Sequence, residues 1–327
     1  MKKLLLLSLL LAGCGAKSGK TPVRLGSVGP GLQAHYLTTP IARALGYFDQ
    51  EGLEVSVEQL PSSAKTAQAL LGGSVDIAEI GYSQTLQLAA EGQHLLAFFI
   101  IQDRPTSGVV ASANVQRPED LKGKIIGVSS TGSATHVWMI NWLAKHGLNP
   151  ADYQVVGIGV GASALAAIES GRIDAACLVG GEHLRYLARN PKARLLVDAS
   201  STESINELFG GPNYGGTAYG ARSEWLTKNP DTARRLTRAL LKGQQWIKAQ
   251  SAEEIRARLP SELRSPNTDV DLAILRWSLT QFTTDGQLPA GALKAMQPFF
   301  AVRNEKLRDA KIDLAATWTD AYLPQSR

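Results

Sequence analysis

Apolar and polar residues follow one another in an order that predicts alternating strands and helices, repeated twice along the chain. In the first copy the predicted elements are a strand at 23–28, a helix at 39–45, a strand at 54–60, a helix at 64–71 and a strand at 75–80. In the second copy they are a strand at 125–128, a helix at 136–145, a strand at 153–158, a helix at 164–170 and a strand at 173–179. Residues 73–78 and 171–176 share the pattern Gly-x-(Val/Ile)-Asp-x-Ala at matching places, which indicates an internal repeat.

Two βαβαβ halves predict two small α/β lobes, each a small sheet flanked by helices. Because loops after parallel strands lie at one edge of a sheet, and open α/β folds bind ligands there, we expect a ligand in the cleft between two such edges. Turn-rich segments at 102–108 and 210–217 are the expected crossings between the lobes. The expected lobe 1 is discontinuous, 22–107 and 216–327, and lobe 2 is 108–215.

The loop Val128–His136, V-S-S-T-G-S-A-T-H, lies between a predicted strand and a predicted helix. Its hydroxyls and backbone N–H groups, together with the positive end of the helix dipole, can hold an anion. The same serines can equally act as caps of the helix. Both interpretations stay open at this point.

Composition excludes several classes of protein. The 327 residues are 44% apolar and 19% charged, which suits a folded globular chain of about two domains. The net charge of +5, or +3 without Lys2 and Lys3 of the leader, is small, and no basic run with interleaved aromatics accompanies it. We therefore expect no nucleic-acid partner.

The first residues have the form of a secretion signal. A basic start and the apolar run Leu4–Leu11 make residues 1–13 a signal peptide, and the L-A-G-C ending resembles a bacterial lipobox. This predicts lipidation of Cys14, a tether over residues 14–21, and a periplasmic or cell-surface location with a membrane anchor. Cys177 lies in an apolar run and is expected in the core, without a disulfide.

One predicted helix, which begins at Asn229-Pro230, carries a basic stripe. Arg234, Arg238 and Lys242 are spaced four residues apart and therefore share a face. The stripe fits a solvated surface, or the docking of an acidic partner.

Five motifs in this order give the chain a resemblance to a known family. They are G-Y-F-D-Q-E-G-L at 46–53, G-G-S-V-D-I-A at 72–78, D-L-K-G-K-I-I-G-V at 120–128, G-S-A-T-H at 132–136 and G-R-I-D-A at 171–175. The chain resembles the periplasmic solute-binding proteins of ABC importers for sulfonates, taurine and nitrate, which share a fold with thiamine-pyrimidine binding proteins. The resemblance implies a type II periplasmic-binding fold of two lobes joined by two crossings, and delivery of a solute to ABC permease and ATPase subunits.

The resemblance also implies which loops contact the ligand. The residues it selects are Pro30, Gly31, His35, Tyr36, Ser62, Ser63, Gly81, Tyr82, Ser129, Ser130, Thr131, Gly132, Ser133, Thr135, Glu182 and Tyr214. Related proteins often have a proline after the acidic residue, whereas this chain has His183 after Glu182, and Gly180-Gly181 before it.

Side-chain chemistry at these loops suits a small anionic or zwitterionic solute. Anionic oxygens fit the N–H groups and hydroxyls of the 129–133 loop, and Glu182 can take an ammonium group, so taurine-like ligands fit both ends. Binding of a thiamine-pyrimidine or an aromatic acid, a ligand-sensing lipoprotein, or an enzyme of this fold are the alternatives. No G-x-S-x-G motif accompanies Ser133 and His136, so we expect no catalysis, no cofactor and no metal.

Overall fold

The computed structural model describes residues 19–28, 36–60, 63–302 and 304–324. Its strands are β1 (Thr21–Val28), β2 (Leu53–Leu60), β3 (Ile77–Gly81), β4 (Leu95–Ile100), β5 (Ser107–Ala111), β6 (Ile125–Val128), β7 (Gln154–Gly157), β8 (Ala175–Val179), β9 (Arg194–Asp198) and β10 (Thr217–Arg222). Its helices are α1 (Thr38–Ala44), α2 (Tyr47–Gln50), α3 (Ser63–Gly72), α4 (Tyr82–Ala90), α5 (Ala134–Lys145), α6 (Ala162–Glu169), α7 (Glu182–Arg189), α8 (Thr202–Phe209), α9 (Ser223–Lys228), α10 (Pro230–Ala249), α11 (Ala252–Arg258), α12 (Thr268–Leu279), α13 (Ala292–Ala301) and α14 (Glu305–Asp309).

Two five-stranded mixed sheets form the two lobes. The first has the order β2-β1-β3-β10-β4 and the second the order β7-β6-β8-β5-β9. In each sheet four strands run in the same direction, and one strand, β10 in the first sheet and β5 in the second, runs antiparallel to both of its neighbours. The predicted α/β fold and the predicted internal repeat are therefore confirmed. The insertion of β10 between β3 and β4 was not predicted, because its partners lie more than a hundred residues earlier in the chain.

Strands β4 and β5, on either side of the crossing at 102–108, are almost wholly apolar and buried, as their apolar sequences predicted. Every residue of β5 is buried, and in β4 Phe98 and Phe99 are 0% exposed. Phe99 packs edge-to-face on Tyr219 of β10, with ring centroids 5.8 Å apart. Cys177 is 2% exposed, which confirms the expected core position, and burial raises the pKa of its thiol to about 12.

Three chain segments lie side by side where the two sheets meet. The N–H of Ile101 donates to Thr217 (2.8 Å), and the N–H of Gly216 donates to Gln102 (2.8 Å). On the other side, the N–H of Thr283 donates to Ile101 (3.0 Å). The two expected crossings thus lie beside a third segment, which leads out of α12.

Helix α12 packs against α7 beside the second sheet, although its residues fall in the range expected for lobe 1. Helix α13 contacts α4 of the first lobe and α5 and α8 of the second. The C-terminal part of the chain therefore binds to both lobes. Within the residues that the structure covers, no helix has the length and the apolar run that a bilayer crossing requires.

We predict that Gly216→Ala lowers the free energy of unfolding by about 2 kcal/mol, because the added Cβ would lie 2.6 Å from the carbonyl oxygen of Gln102 and the crossing would have to move. Gly72→Ala, in helix α3, is the matched control, since nothing lies within 4 Å of its added Cβ. Urea unfolding followed by circular dichroism measures both variants. Equal stability of Gly216→Ala and the wild type would show that the crossing is not tightly packed at this point.

Candidate ligand-binding site

Three loops of the second lobe meet at the carboxyl ends of β6, β7 and β8. The N–H of Gly159 donates to the carbonyl of Ser129 (3.1 Å), which joins the first loop to the second. The N–H of Gly161 donates to Oε1 of Glu182 (2.5 Å), which joins the second loop to the third. The structure therefore places Glu182 and the residues of the 129–133 loop on one edge of the sheet, as the repeated order of strands and helices predicted.

Three hydroxyls at the start of α5 and in the loop before it bind one another. Ser129 and Ser133 are 3.0 Å apart, Ser129 and Thr135 2.9 Å, and Ser133 and Thr135 2.8 Å, measured between side-chain oxygens. Three contacts among three hydroxyls use all three hydroxyl protons. Ser133 also accepts from the N–H of His136 (3.3 Å) as the N-cap of α5. In this conformation these hydroxyls stabilise the helix start and have no proton left for an anion.

A histidine of α5 hydrogen-bonds with the backbone of the same loop. His136 is 3% exposed, and its Nδ1 accepts from the N–H of Gly132 (2.8 Å). This bond requires an unprotonated Nδ1. Gly132 itself has φ 84°, a left-handed conformation that glycine adopts without strain. An anion at this loop would thus depend on the positive end of α5 rather than on the hydroxyls. Ser130 and Thr131 stay exposed at the tip of the loop.

Glu182, on the same edge, has a carboxylate oxygen without a hydrogen-bond partner among the described residues. Its side chain is 6% exposed, Oε1 accepts from Gly161, and Oε2 has no hydrogen-bond partner among the described residues. Burial raises the pKa of Glu182 to about 7, and the Gly161 N–H and the charge of Arg185 only partly oppose this rise. A buried carboxylate with a free oxygen favours a ligand that donates a hydrogen bond or carries a positive charge.

Helix α12 fixes the start of α7, and with it the position of Glu182. Gly181 has φ 91°, and a Cβ added to it would lie 2.6 Å from Ile274 of α12. Asp271 of α12 is fully buried and pairs with Arg185 of α7 (3.5 Å) and Arg256 of α11 (3.1 Å). A small residue is required at position 181 because the two helices approach so closely.

His183, which stands where related proteins often have proline, is a core residue. It is 0% exposed, and its ring packs edge-to-face on Trp277 of α12 at 4.7 Å. Burial lowers the pKa of His183 to about 4, so the ring is neutral at pH 7. The indole N–H of Trp277 donates to Asp198 (2.8 Å), which attaches α12 to the end of β9. The departure from the family pattern is thus accommodated by packing.

One predicted site residue of the first lobe, Tyr82, has a buried side chain. Tyr82 is 0% exposed, its hydroxyl lies 3.0 Å from Thr317 Oγ1, and burial raises its pKa to about 12. Contact of this side chain with a ligand stays a prediction, and in this conformation the ring is fully covered. Gly81 precedes α4 and is half-buried. Tyr214 is half-buried and packs on Phe209, with ring centroids 4.9 Å apart.

Two further predicted residues come together in this lobe. Tyr36 hydrogen-bonds with Ser63, and burial raises the pKa of Tyr36. This contact joins the end of the loop after β1 to the start of α3. Pro30, Gly31, His35, Ser62 and the lipidation residue Cys14 lie outside the described residues.

Sequence reasoning missed one buried carboxylate, Glu79 in β3. Its signal was an acidic residue in the otherwise apolar run Ile77-Ala78-Glu79-Ile80, at a position where the pattern predicts a core side chain. Across the described ranges, no group of three or more His, Cys, Asp or Glu side chains is arranged to hold a metal ion.

We predict that Glu182→Gln becomes more stable relative to wild type as pH rises from 5 to 8. The folded-state pKa of about 7 lies above that of an unfolded glutamate. The stability that the proton provides is complete below the unfolded pKa and is lost as pH rises through about 7, by up to about 3 kcal/mol. Urea titrations across this pH range measure the difference, in which the contribution of Glu79 cancels. Glu203→Gln, an exposed carboxylate in the first turn of α8, is the control, and a similar pH profile for both variants would contradict the prediction.

Comparison with known proteins supports the fold and the family. A solved protein from Bordetella bronchiseptica RB50 is 32% identical, with a TM-score of 0.81, and the match covers 94% of this chain and 96% of that one. The periplasmic aliphatic sulphonate binding protein SsuA from Escherichia coli is 18% identical, with a TM-score of 0.70 and coverage of 92% and 99%, which shows the shared fold.

Curated relatives have two kinds of name. The putative binding protein YtlA of Bacillus subtilis is 28% identical over 268 residues, 80% of this chain and 76% of that protein. The 4-amino-5-hydroxymethyl-2-methylpyrimidine phosphate synthase of Schizosaccharomyces pombe is 26% identical over 213 residues, and the chain spans only 60% of its length. The family model described as NMT1/THI5 like matches residues 35–254, more than half of the chain. The chain belongs to the NMT1/THI5-like family.

Proposed function

We propose that this protein is the lipid-anchored, extracytoplasmic solute-binding component of an ABC importer. In this proposal it captures a small zwitterionic or aminated solute, of the taurine type, between its lobes and presents it to a permease and its ATPase subunits. The observation that carries the proposal is Oε2 of Glu182, a buried carboxylate oxygen without a partner among the described residues, on the ligand-binding edge of the second sheet.

The fold supports a role in binding. Solved structures that share it are named as sulphonate-binding and nitrate-binding periplasmic proteins. The pairing of 101–103 with 216–217 and 281–283 places short extended segments between the lobes, where a hinge motion can close the cleft. Such a closure needs no bond chemistry.

The positions of the two loops favour a zwitterion over a simple anion. Strands β6 and β8 are parallel neighbours, so the loops that follow them leave the sheet about 5 Å apart. One loop ends in Glu182, which suits an ammonium group, and the other begins α5, whose positive end suits an anionic group. An aminoalkanesulfonate carries both groups at a comparable separation, whereas nitrate has no cationic group.

A second candidate ligand is an aminopyrimidine. Several fungal relatives at 26–28% identity are named as pyrimidine phosphate synthases. An exocyclic amino group could donate to Oε2 of Glu182 in the same way as an ammonium group. This candidate uses the same carboxylate, but its ligand is an aromatic ring rather than a short aliphatic chain.

A thermal-shift screen of the leaderless protein tests the proposal. The panel contains alkanesulfonates, aminoalkanesulfonates, nitrate, aromatic acids and aminopyrimidines. We expect an aminated compound to raise Tm, since a ligand at a hundred times its Kd stabilises the folded state by about 2.7 kcal/mol. Glu182→Gln should lose this shift, and Glu203→Gln should keep it.

Two results would contradict the proposal. If nitrate or a simple alkanesulfonate raises Tm and no aminated compound does, the solute does not carry the cationic group that the proposal requires. If Glu182→Gln binds an aminated ligand as tightly as wild type, the carboxylate is not part of the site.

A further inference from the structure

A buried carboxylate lies at the centre of the first lobe, remote in sequence from Glu182. Glu79 of β3 is 0% exposed and lies between β1 and β10. The hydroxyl of Ser27 donates to Oε2 of Glu79, and the hydroxyl of Thr39 donates to Oε1 (2.5 Å). The hydroxyl of Tyr219 lies 2.7 Å from that of Thr39. Its polar neighbours are thus neutral hydroxyls, and no basic side chain of the described residues contributes to its pKa.

Two of the residues that carry these hydroxyls also line a pocket. Its volume is about 170 Å³, and Ser27 and Thr39 form part of its wall. The pocket lies between α1, the carboxyl ends of β1 and β2, and the short 3₁₀ turn at 261–263. Val28 and Val57 add apolar wall. This space is large enough for a small organic group rather than a single water molecule.

The protons of this network determine what the pocket can bind. An ionised Glu79 only accepts hydrogen bonds, so Ser27 and Thr39 must both donate their single hydroxyl protons to it. The hydroxyl of Tyr219 contacts both Thr39 and Glu79, so its proton also stays within this network. The Ser27 and Thr39 oxygens retain lone pairs but no protons. The pocket wall therefore offers acceptors, with a negative charge directly behind them.

We propose that the Ser27–Thr39 pocket is a binding site for a cationic nitrogen, an ammonium or amidinium group, on lobe 1 and independent of Glu182. Such a group would donate to the open lone pairs of both hydroxyl oxygens. Its charge would compensate the buried carboxylate, which is otherwise costly to keep ionised. Tyr36, which the resemblance selects as a ligand contact, also lines this pocket. The site nevertheless goes beyond the proposed function, because it rests on Glu79 of lobe 1 whereas the proposed function rests on Glu182 of the other lobe.

The charges at the mouth of the pocket are compatible with a cation. Arg43 also lines the pocket, and its guanidinium donates to the carbonyl of Val55 (2.8 Å). Glu262, on the 3₁₀ turn opposite, supplies a balancing negative charge. Burial raises the pKa of Glu79 to about 7, so at pH 8 the carboxylate is mostly ionised and the acceptor arrangement prevails.

Methyl NMR of valine-labelled protein at pH 8 tests this site. The probes are ethylammonium and methylguanidinium, with ethanesulfonate as the anionic counterpart. We expect both cations to shift the methyl signals of Val28 and Val57 in a saturable way, and ethanesulfonate to leave them in place. Ser27→Ala, which removes one acceptor of a charge-assisted hydrogen bond, should weaken cation binding about tenfold.

Matched variants distinguish binding in the Ser27–Thr39 pocket from a general effect of losing a buried hydroxyl and from binding at Glu182. Thr85→Val removes a buried hydroxyl of the same lobe that donates to Tyr82 rather than to Glu79, so it should bind the cations like wild type. Glu182→Gln should also leave this binding unchanged, which separates the site from the proposed solute site. Glu79→Gln should abolish the preference for cations, and if that variant does not fold, Ser27→Ala carries the test. Unshifted valine signals, equal binding by Ser27→Ala, or a stronger effect of ethanesulfonate would each overturn the proposal.

Discussion

The candidate site depends on one carboxylate, that of Glu182, which is buried at the edge of a sheet. An unpaired buried carboxylate is costly, and the free energy must be recovered from its surroundings. Here the N–H of Gly161 binds one oxygen, and the start of α7 supplies the positive end of a short helix. The second oxygen stays open, which is the feature expected of a group whose partner arrives with the solute.

That arrangement requires support from distant parts of the chain. Three residues of helix α12 make these contacts. Ile274 packs against Gly181, and Asp271 forms an ion pair with Arg185. The indole N–H of Trp277 donates to Asp198. All three contacts fall on α7 or on the strand beside it. The C-terminal region therefore does more than complete lobe 1, because it determines where the first residue of α7 lies. The crossing is linked to the same edge, since the N–H of Gly180 donates to Thr106 (2.8 Å).

The sequence predicted those parts of the fold whose signals are local. Helix and strand periods, glycine breaks and the repeated Gly-x-(Val/Ile)-Asp-x-Ala segment located both lobes and the loops at their edges. Burial of Cys177 followed from the apolar run around it. Glu182 was selected from its loop and from the family resemblance, and the structure adds the open oxygen that gives the residue a definite chemical role.

The remaining features depend on partners far away in the chain, which local patterns do not reveal. Tyr82 is buried because Thr317 and Gly215 cover it. The basic stripe is exposed, and Arg238 and Lys242 both pair with Glu51, which lies 187 and 191 residues away and which the local pattern did not indicate. The Ser129–Ser133–Thr135 cluster showed the same limit on a small scale, since composition indicated hydroxyls but not that they satisfy one another.

Proton release on solute binding tests the role of Glu182 most directly. Titration calorimetry at pH 6, in two buffers of different ionisation enthalpy, measures how many protons leave the protein per solute bound. Since the pKa of Glu182 is about 7, a cationic end that requires the ionised carboxylate should release close to one proton at pH 6 and almost none at pH 8. Glu182→Gln, if it retains measurable binding, should release none at either pH. Equal heats in the two buffers at pH 6 would show that the solute does not bind the ionised Glu182, and would contradict the account.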